Sequence, residues 1–134
     1  RIAILGFAFK KDTNDTRESA SIAVCRDLLR ERAQIAVYDP RVDADSIRQD
    51  LVEAGVDPEL INTHLQICDS PYTACEGAHA LAALTEWEEF RNLDLVRLYD
   101  GMLKPAFVFD GRAILPTAAL KAHGFEVFVI GKGV

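Results

Sequence analysis

The chain has 134 residues, 49% hydrophobic and 27% charged, with a formal net charge of −6. This length suits one domain with a substantial buried core, and the composition is that of a soluble globular protein. The acidic balance argues against general binding to nucleic acid or to a membrane surface, because both require a basic face. An anionic ligand would therefore need a local cluster of basic side chains.

We expect no cleavable signal from the residues at the start of the sequence, and no apolar run approaches the ~18 residues of a membrane span. The three cysteines are an odd number without metal-ligand spacing, so we expect reduced thiols in a cytoplasmic protein and no metal site. The chain opens inside its first predicted strand. We interpret residues 1–134 as a single domain taken from a longer polypeptide.

Apolar periodicity predicts strands and helices in alternation. In chain order these are a strand over Ile2–Leu5, a helix over Ser19–Glu31, a strand over Gln34–Tyr38, a helix over Asp43–Ala54, an irregular connection over 56–63, a strand over His64–Cys68, a helical turn over Pro71–Cys75, a strand over Ala78–Leu84, helices over Trp87–Asn92 and Asp94–Met102, a strand over Phe107–Asp110, a helix over Pro116–His123 and a strand over Glu126–Ile130. This alternation predicts a Rossmann-like, doubly wound α/β fold, with six mostly parallel strands and helices on both faces.

The segment after the first strand, residues 6–21, reads GFAFKKDTNDTRESAS. A dinucleotide-binding fingerprint places three glycines at such a junction, whereas here only Gly6 is present and Lys10, Lys11 and Arg17 follow. The loop therefore brings cationic side chains, instead of bare backbone, to the end of the strand.

Two acidic positions have simple structural interpretations. Asp15 and Glu18 fit an acidic capping box, which would begin the first helix near Thr16. Asp39 ends the second strand, where dinucleotide folds carry a ribose-binding acid, but it lies 33 residues after Gly6 instead of the usual ~20. We interpret Asp39 as a turn or helix cap.

The carboxyl ends of parallel strands share one edge of a sheet, so Lys10, Arg17 and Arg112 can converge on a single crevice. Lysine and arginine together suit a pyrophosphate. Two alternatives stay open. The basic and acidic residues of the first loop can simply pair with each other on a solvated surface, and Asp110-Gly111 is a turn signal after which an arginine needs no ligand.

Several side chains whose types suggest catalysis are better explained by packing. Cys25 falls on an apolar helix face, and Cys68 and Cys75 have no basic neighbour in sequence to lower a thiol pKa. His79, inside an apolar strand, is interpreted as a hydrogen-bonded core residue, and Trp87 as a residue that packs on the sheet. No catalytic residue is predicted in this chain.

Over essentially its whole length the chain resembles the C-terminal, UDP-binding domain of the UDP-glucose and GDP-mannose dehydrogenase family. The resemblance rests on five motifs: ILGFAFKKDTNDTRES at 4–19, VYDPRV at 37–42, DSPYTACEGAHA at 69–80, LTEWEEF at 84–90 and MLKPAFVFDGR at 102–112. The forms FAFKKDT and DTRES look closest to the UDP-glucose branch.

The resemblance implies a domain that binds the UDP part of UDP-glucose or UDP-glucuronate. With an N-terminal NAD-binding Rossmann domain, it would enclose the active site of a homo-oligomeric enzyme. Phe9 and Lys10 match the residues that hold the UDP-sugar, Arg112 matches the arginine that contacts it, and Arg17 matches the arginine that reaches towards NAD.

In that family two successive hydride transfers oxidise the 6-hydroxymethyl group to a carboxylate through a thiohemiacetal on a cysteine upstream of this domain. The domain alone is therefore expected to be inactive. A GDP-mannose or UDP-N-acetylmannosamine dehydrogenase domain and a non-enzymatic Rossmann-like nucleotide-binding module remain as alternatives.

Overall fold

The computed structural model describes residues 1–17 and 19–130. Its strands are β1 (Ile2–Leu5), β2 (Ile35–Tyr38), β3 (Leu65–Ile67), β4 (Ala80–Ala83), β5 (Phe107–Asp110) and β6 (Glu126–Val129). Its helices are α1 (Ala20–Arg30), α2 (Ala44–Glu53), α3 (Pro58–His64), α4 (Pro71–Cys75), α5 (Leu95–Gly101) and α6 (Thr117–Ala122), with a 3₁₀ helix over Glu88–Asn92 before α5. None of the helices in these described ranges is long and apolar enough to cross a membrane.

The six strands form one sheet in the order β3-β2-β1-β4-β5-β6, and every neighbouring pair is parallel. The order reverses between β1 and β4, which lie side by side with Leu5 opposite Ala83. The predicted Rossmann-like, doubly wound fold is confirmed. Its topological switch point, where such sheets bind ligands, lies beyond the carboxyl ends of β1 and β4.

Helices cover the sheet from both sides. α1 packs against α2 and α3, whereas α4 packs against α5 and against β1 and β2. Right-handed crossovers place these two groups on opposite faces, because the connections move towards opposite edges of the sheet. The central strands are consequently buried on both sides, which explains why β1 and β2 read as unbroken apolar runs.

Two sequence predictions about helices are wrong. Residues 58–64 form α3 instead of an irregular connection, because Asp57 caps the helix by accepting from Glu59 N and Pro58 fits its first turn. α1 begins at Ala20 and not near Thr16, because the hydroxyl of Ser19 accepts from the amide two residues on. Glu18, the other half of the predicted capping box, lies outside the described residues.

Candidate functional site

The ends of β1 and β4 are in direct contact at Gly6. This glycine has φ +99°, and a Cβ placed on it would lie 2.5 Å from the Cβ of Thr85. The Thr85 hydroxyl in turn donates to the carbonyl of Ala8 at 2.8 Å, and the Ser21 hydroxyl of α1 donates to the Gly6 carbonyl at 2.7 Å. Gly6 therefore serves close backbone packing and leaves no open glycine cradle for a pyrophosphate.

Asp39 anchors the base of the first loop. Its Oδ2 accepts from the amides of Phe7 at 2.7 Å and Ala8 at 2.9 Å and from the Trp87 indole at 3.0 Å. Its Oδ1 accepts from the amide of Arg41 at 2.8 Å and from the next amide at 3.1 Å. Both oxygens serve the fold, so the prediction that Asp39 caps a turn is confirmed. The packing role predicted for Trp87, which is 6% exposed, is confirmed as well.

Arg112 reaches from the end of β5 across the ends of β4 and β1. Asp110, fully buried, orders the turn by accepting from the amides of Arg112 at 3.1 Å and Leu115 at 2.8 Å. The Arg112 side chain then donates from Nε to the carbonyl of Leu84 at 3.2 Å and from Nη2 to that of Phe9 at 2.7 Å. These two carbonyls hold the guanidinium at the topological switch point.

The first loop meets this guanidinium at the Phe9 carbonyl, and Lys10 is the next residue in the loop. The Phe9 ring is 40% exposed, and its amide donates to the carbonyl of Asp15 at 2.7 Å. Lys10 is exposed, and the amide of Lys11 donates to Glu86 Oε1 at 2.8 Å. The structure thus brings Phe9 and Arg112 into contact. Lys10 is the residue that follows Phe9 in the same loop.

Arg17 has a different kind of partner. Its Nη2 lies 2.7 Å from Asp15 Oδ2, its Nε and backbone amide also donate to the Asp15 carboxylate, and its side chain is 88% exposed. Hydrogen bonding by Arg17 is the main reason that the pKa of Asp15 falls to about 2. The alternative in which the basic and acidic residues of the first loop pair with each other therefore describes Arg17. Arg112 lies outside that loop, and its close partners are backbone carbonyls.

Two hollows in the described part of the chain lie away from Phe9 and Arg112. One of about 250 Å³ is lined by residues of α4 and α5, including Tyr72 and Arg97. Another of about 390 Å³ lies between the first loop and α2. Neither of these two hollows includes Phe9 or Arg112.

The remaining candidate groups do not form a reactive centre. Burial raises the pKa of Cys25 and Cys75 to about 12 and also raises that of Cys68, so these thiols stay protonated near neutral pH. Across residues 1–17 and 19–130, no three His, Cys, Asp or Glu side chains are placed to hold a metal ion. His79 is exposed, because β4 begins only at Ala80, so its predicted core position is wrong.

The chain is similar over its whole length to part of several curated enzymes. It is 51% identical over 134 residues to UDP-glucose 6-dehydrogenase of Drosophila melanogaster, and 48% identical over 137 residues to that of Gallus gallus. These alignments cover 98% and 100% of the chain but only 28% of each relative. The chain therefore spans well under a third of the curated relatives that it matches.

Solved structures match over the same extent. UDP-D-ManNAc dehydrogenase from Pyrococcus horikoshii is 26% identical with a TM-score of 0.70, over 98% of this chain and 25% of that chain. NDP-N-acetyl-D-galactosaminuronic acid dehydrogenase from Methanosarcina mazei shows the same fold, with a TM-score of 0.76 at 24% identity, over 98% of this chain and 24% of that chain. The family model described as "UDP-glucose/GDP-mannose dehydrogenase family, UDP binding domain" matches residues 3–117. This chain belongs to the UDP-glucose/GDP-mannose dehydrogenase family and contains its UDP binding domain.

Proposed function

We propose that this chain is the UDP-sugar-binding domain of an NAD-dependent UDP-glucose 6-dehydrogenase, which oxidises UDP-glucose to UDP-glucuronate in two hydride transfers. The observation that carries the proposal is the position of the Arg112 guanidinium, which lies at the topological switch point on the carbonyls of Leu84 and Phe9. Identities of 51% and 48% to UDP-glucose 6-dehydrogenases support the UDP-glucose branch of the family.

Arg112, Lys10 and Phe9 form the substrate-binding set. A guanidinium has five N–H donors, and the carbonyls of Leu84 and Phe9 occupy two of those on Arg112. The others can meet diphosphate oxygens with the planar, bidentate geometry that arginine favours. Lys10 adds a compact positive charge, and the half-exposed Phe9 ring adds an apolar surface for the nucleoside.

The contribution of this domain to catalysis is positioning. The UDP part of the substrate is remote from the carbon that reacts, so its binding energy can orient the sugar at the reactive centre. We assign no catalytic residue to this chain, and its buried thiols are unsuited to nucleophilic attack at neutral pH. The isolated chain, given UDP-glucose and NAD, is therefore expected to produce no NADH.

The first loop does not fit a complete NAD site. Gly6 is packed against Thr85, and α1 begins only at Ala20, so the close backbone cradle of a dinucleotide fold is missing here. NAD, which accepts the hydride when bound, would be held mainly by an N-terminal domain. The exposed guanidinium of Arg17, held by Asp15, would supply one further contact.

The same proposal covers the setting of the chain. Residues 1–134 form one C-terminal domain of a cytoplasmic, homo-oligomeric enzyme, and the N-terminal NAD-binding domain completes the active site. Neither nucleic acid nor membrane is a partner, which agrees with the net charge of −6. The alternatives are a domain of a GDP-mannose or UDP-N-acetylmannosamine dehydrogenase and a non-enzymatic nucleotide-binding module. The likeness to the Pyrococcus horikoshii UDP-D-ManNAc dehydrogenase favours the second of these dehydrogenases over the first.

A titration of the chain, followed by calorimetry or by amide resonances, tests the ligand class. We expect UDP and UDP-glucose to bind with similar affinity, and GDP at least about tenfold more weakly. Tighter binding of GDP would favour the GDP-mannose alternative. A failure of all three nucleotides to bind would contradict the proposal.

A further inference from the structure

Glu86 lies at the point where the proposed substrate-binding residues meet. It follows β4, and its Oε1 accepts from the amide of Lys11 at 2.8 Å. The same oxygen lies 3.9 Å from Nη2 of Arg112, and the Glu86 side chain is 31% exposed. One carboxylate thus contacts both the first loop and the arginine from β5.

The first loop has few other supports at its tip. Asp39 holds its base through Phe7 and Ala8, and the Phe9 carbonyl is held by Arg112. Beyond Lys11 the chain enters a left-handed conformation, with φ 64° at Asp12, which residues other than glycine rarely adopt. The bond from Glu86 to Lys11 therefore fixes the loop just before this turn, with Lys10 between the two anchored residues.

We propose, on the basis of the function proposed above, that Glu86 is a positioning residue for the UDP site. It acts through its hydrogen bond to the Lys11 amide, which keeps Phe9 and Lys10 in place to receive the nucleotide. It acts neither as a ligand contact nor as a charge partner of Arg112.

The charge of Glu86 and its hydrogen bond would have opposite effects on UDP binding. A carboxylate beside a diphosphate repels it, so loss of the charge alone should strengthen binding. That effect is small, because the Glu86 side chain is 31% exposed and solvent and salt screen its charge. Loss of the hydrogen bond releases the loop, which must then be ordered when the ligand binds. We therefore expect the hydrogen bond to dominate.

A UDP titration of the unmodified chain, Glu86→Ala and Glu86→Gln separates these two effects. Glu86→Ala should bind UDP about fivefold more weakly, and Glu86→Gln should stay within about twofold of the unmodified chain, because its amide oxygen can still accept from Lys11. The Lys11 amide resonance should shift in Glu86→Ala and be restored in Glu86→Gln. Glu88→Ala is the control, since that exposed carboxylate pairs with Arg91 at 3.4 Å and should change neither quantity.

Several outcomes would overturn this role. No loss of affinity in Glu86→Ala would exclude the hydrogen bond as a determinant of binding. Equal weakening in Glu86→Ala and Glu86→Gln would show that the ion pair with Arg112, and not the hydrogen bond to the Lys11 amide, determines binding. If the unmodified chain binds no UDP, the proposed function and this role are both overturned. If all the variants bind UDP equally well, only the role of Glu86 is overturned. Thermal melts of each variant check that it is folded.

Discussion

Two turns at the same edge of the sheet use one local device for different purposes. Asp39 directly follows β2 and Asp110 ends β5, both are buried, and each accepts from the amide two residues later. The residue that supplies this amide is an arginine in both turns, Arg41 and Arg112. The sequences Asp-Pro-Arg and Asp-Gly-Arg therefore look equivalent until their contacts are compared.

The difference lies in what each turn holds. The Oδ2 atom of Asp39 accepts from amides of the first loop and from the Trp87 indole, which lie outside the β2 turn. The Oδ2 atom of Asp110 accepts from the Leu115 amide, which is near in sequence. Arg41 is exposed at the surface, whereas Arg112 crosses two strands to reach the first loop. The β2 turn therefore supports the site, and the β5 turn supplies a side chain to it.

The middle residue of each turn fits this division. A Cβ on Gly111 would lie 3.2 Å from the Ala83 carbonyl and 3.2 Å from a methyl group of Leu84, so the glycine lets the β5 turn lie close against β4. This closeness lets Arg112 reach the Leu84 carbonyl. The β2 turn has no such requirement and carries Pro40.

Substitution of each aspartate in turn should give the largest difference between the two turns, measured as loss in the free energy of unfolding. Asp39→Ala leaves five buried or partly buried donors without their acceptor, and we expect a loss of about 4 kcal/mol in the free energy of unfolding. Asp110→Ala removes an acceptor from two amides and should cost about 2 kcal/mol. Urea unfolding of both variants measures this. Equal losses would show that Asp39 has no special role in support of the loop.

A smaller effect is expected at Gly6, in the loop that Asp39 holds. Gly6→Ala combines a φ of +99° with a Cβ at 2.5 Å from Thr85, and should cost about 3 kcal/mol. Gly77→Ala is the matched control, because Gly77 has φ +71° but open space around its Cβ, and should cost about 1 kcal/mol. Thermal or urea unfolding compares the two. Equal costs of the two substitutions would show that the approach of Thr85 to Gly6 adds nothing to the cost of the positive φ.

The smallest effect concerns Arg17, the arginine held by a carboxylate. Its hydrogen bonds lower the pKa of Asp15 from its usual 3.8 to about 2. Because the folded-state pKa is depressed, the pair stabilises the fold above pH ~4, and this contribution is lost as the pH falls through about 2. Arg17→Ala should return the Asp15 titration midpoint towards 3.8, as followed by carboxyl NMR, and should leave UDP affinity at neutral pH unchanged. A midpoint that stays near 2 in Arg17→Ala would show that the backbone alone sets it.

The fold was predictable because its strands and helices differ in apolar period and because at least one helix separates each strand from the next. The errors arose where a local signal competed with another. Asp57-Pro58 starts α3, but Ile61 is the only buried residue of that helix. The sequence therefore shows no apolar stripe that would have predicted the helix. Asp15 looked like a helix cap, yet Ser19 caps α1, since the Asp15 carboxylate is engaged by Arg17.

The site was predictable in its residue types but not in its contacts. Arg112 and Phe9 are 103 residues apart in sequence, and their contact follows only from the strand order β1-β4-β5. The sequence did not indicate that Asp39 and Glu86 support the loop. Both carboxylates accept from backbone amides, and such contacts leave no pattern in the sequence. The partners of the two arginines, backbone carbonyls for Arg112 and a carboxylate for Arg17, likewise could not be predicted from the sequence.

The most direct test of the account compares the two turn arginines in UDP binding. Arg112→Ala should weaken UDP binding by calorimetry at least about tenfold, because it removes the guanidinium at the switch point. Arg41→Ala, the same change at the equivalent position of the β2 turn, should stay within about twofold of the unmodified chain. Both variants should keep the thermal stability of the unmodified chain to within a few degrees. An Arg112→Ala variant that binds UDP as well as Arg41→Ala does would contradict the assignment of the site to the switch point between β1 and β4.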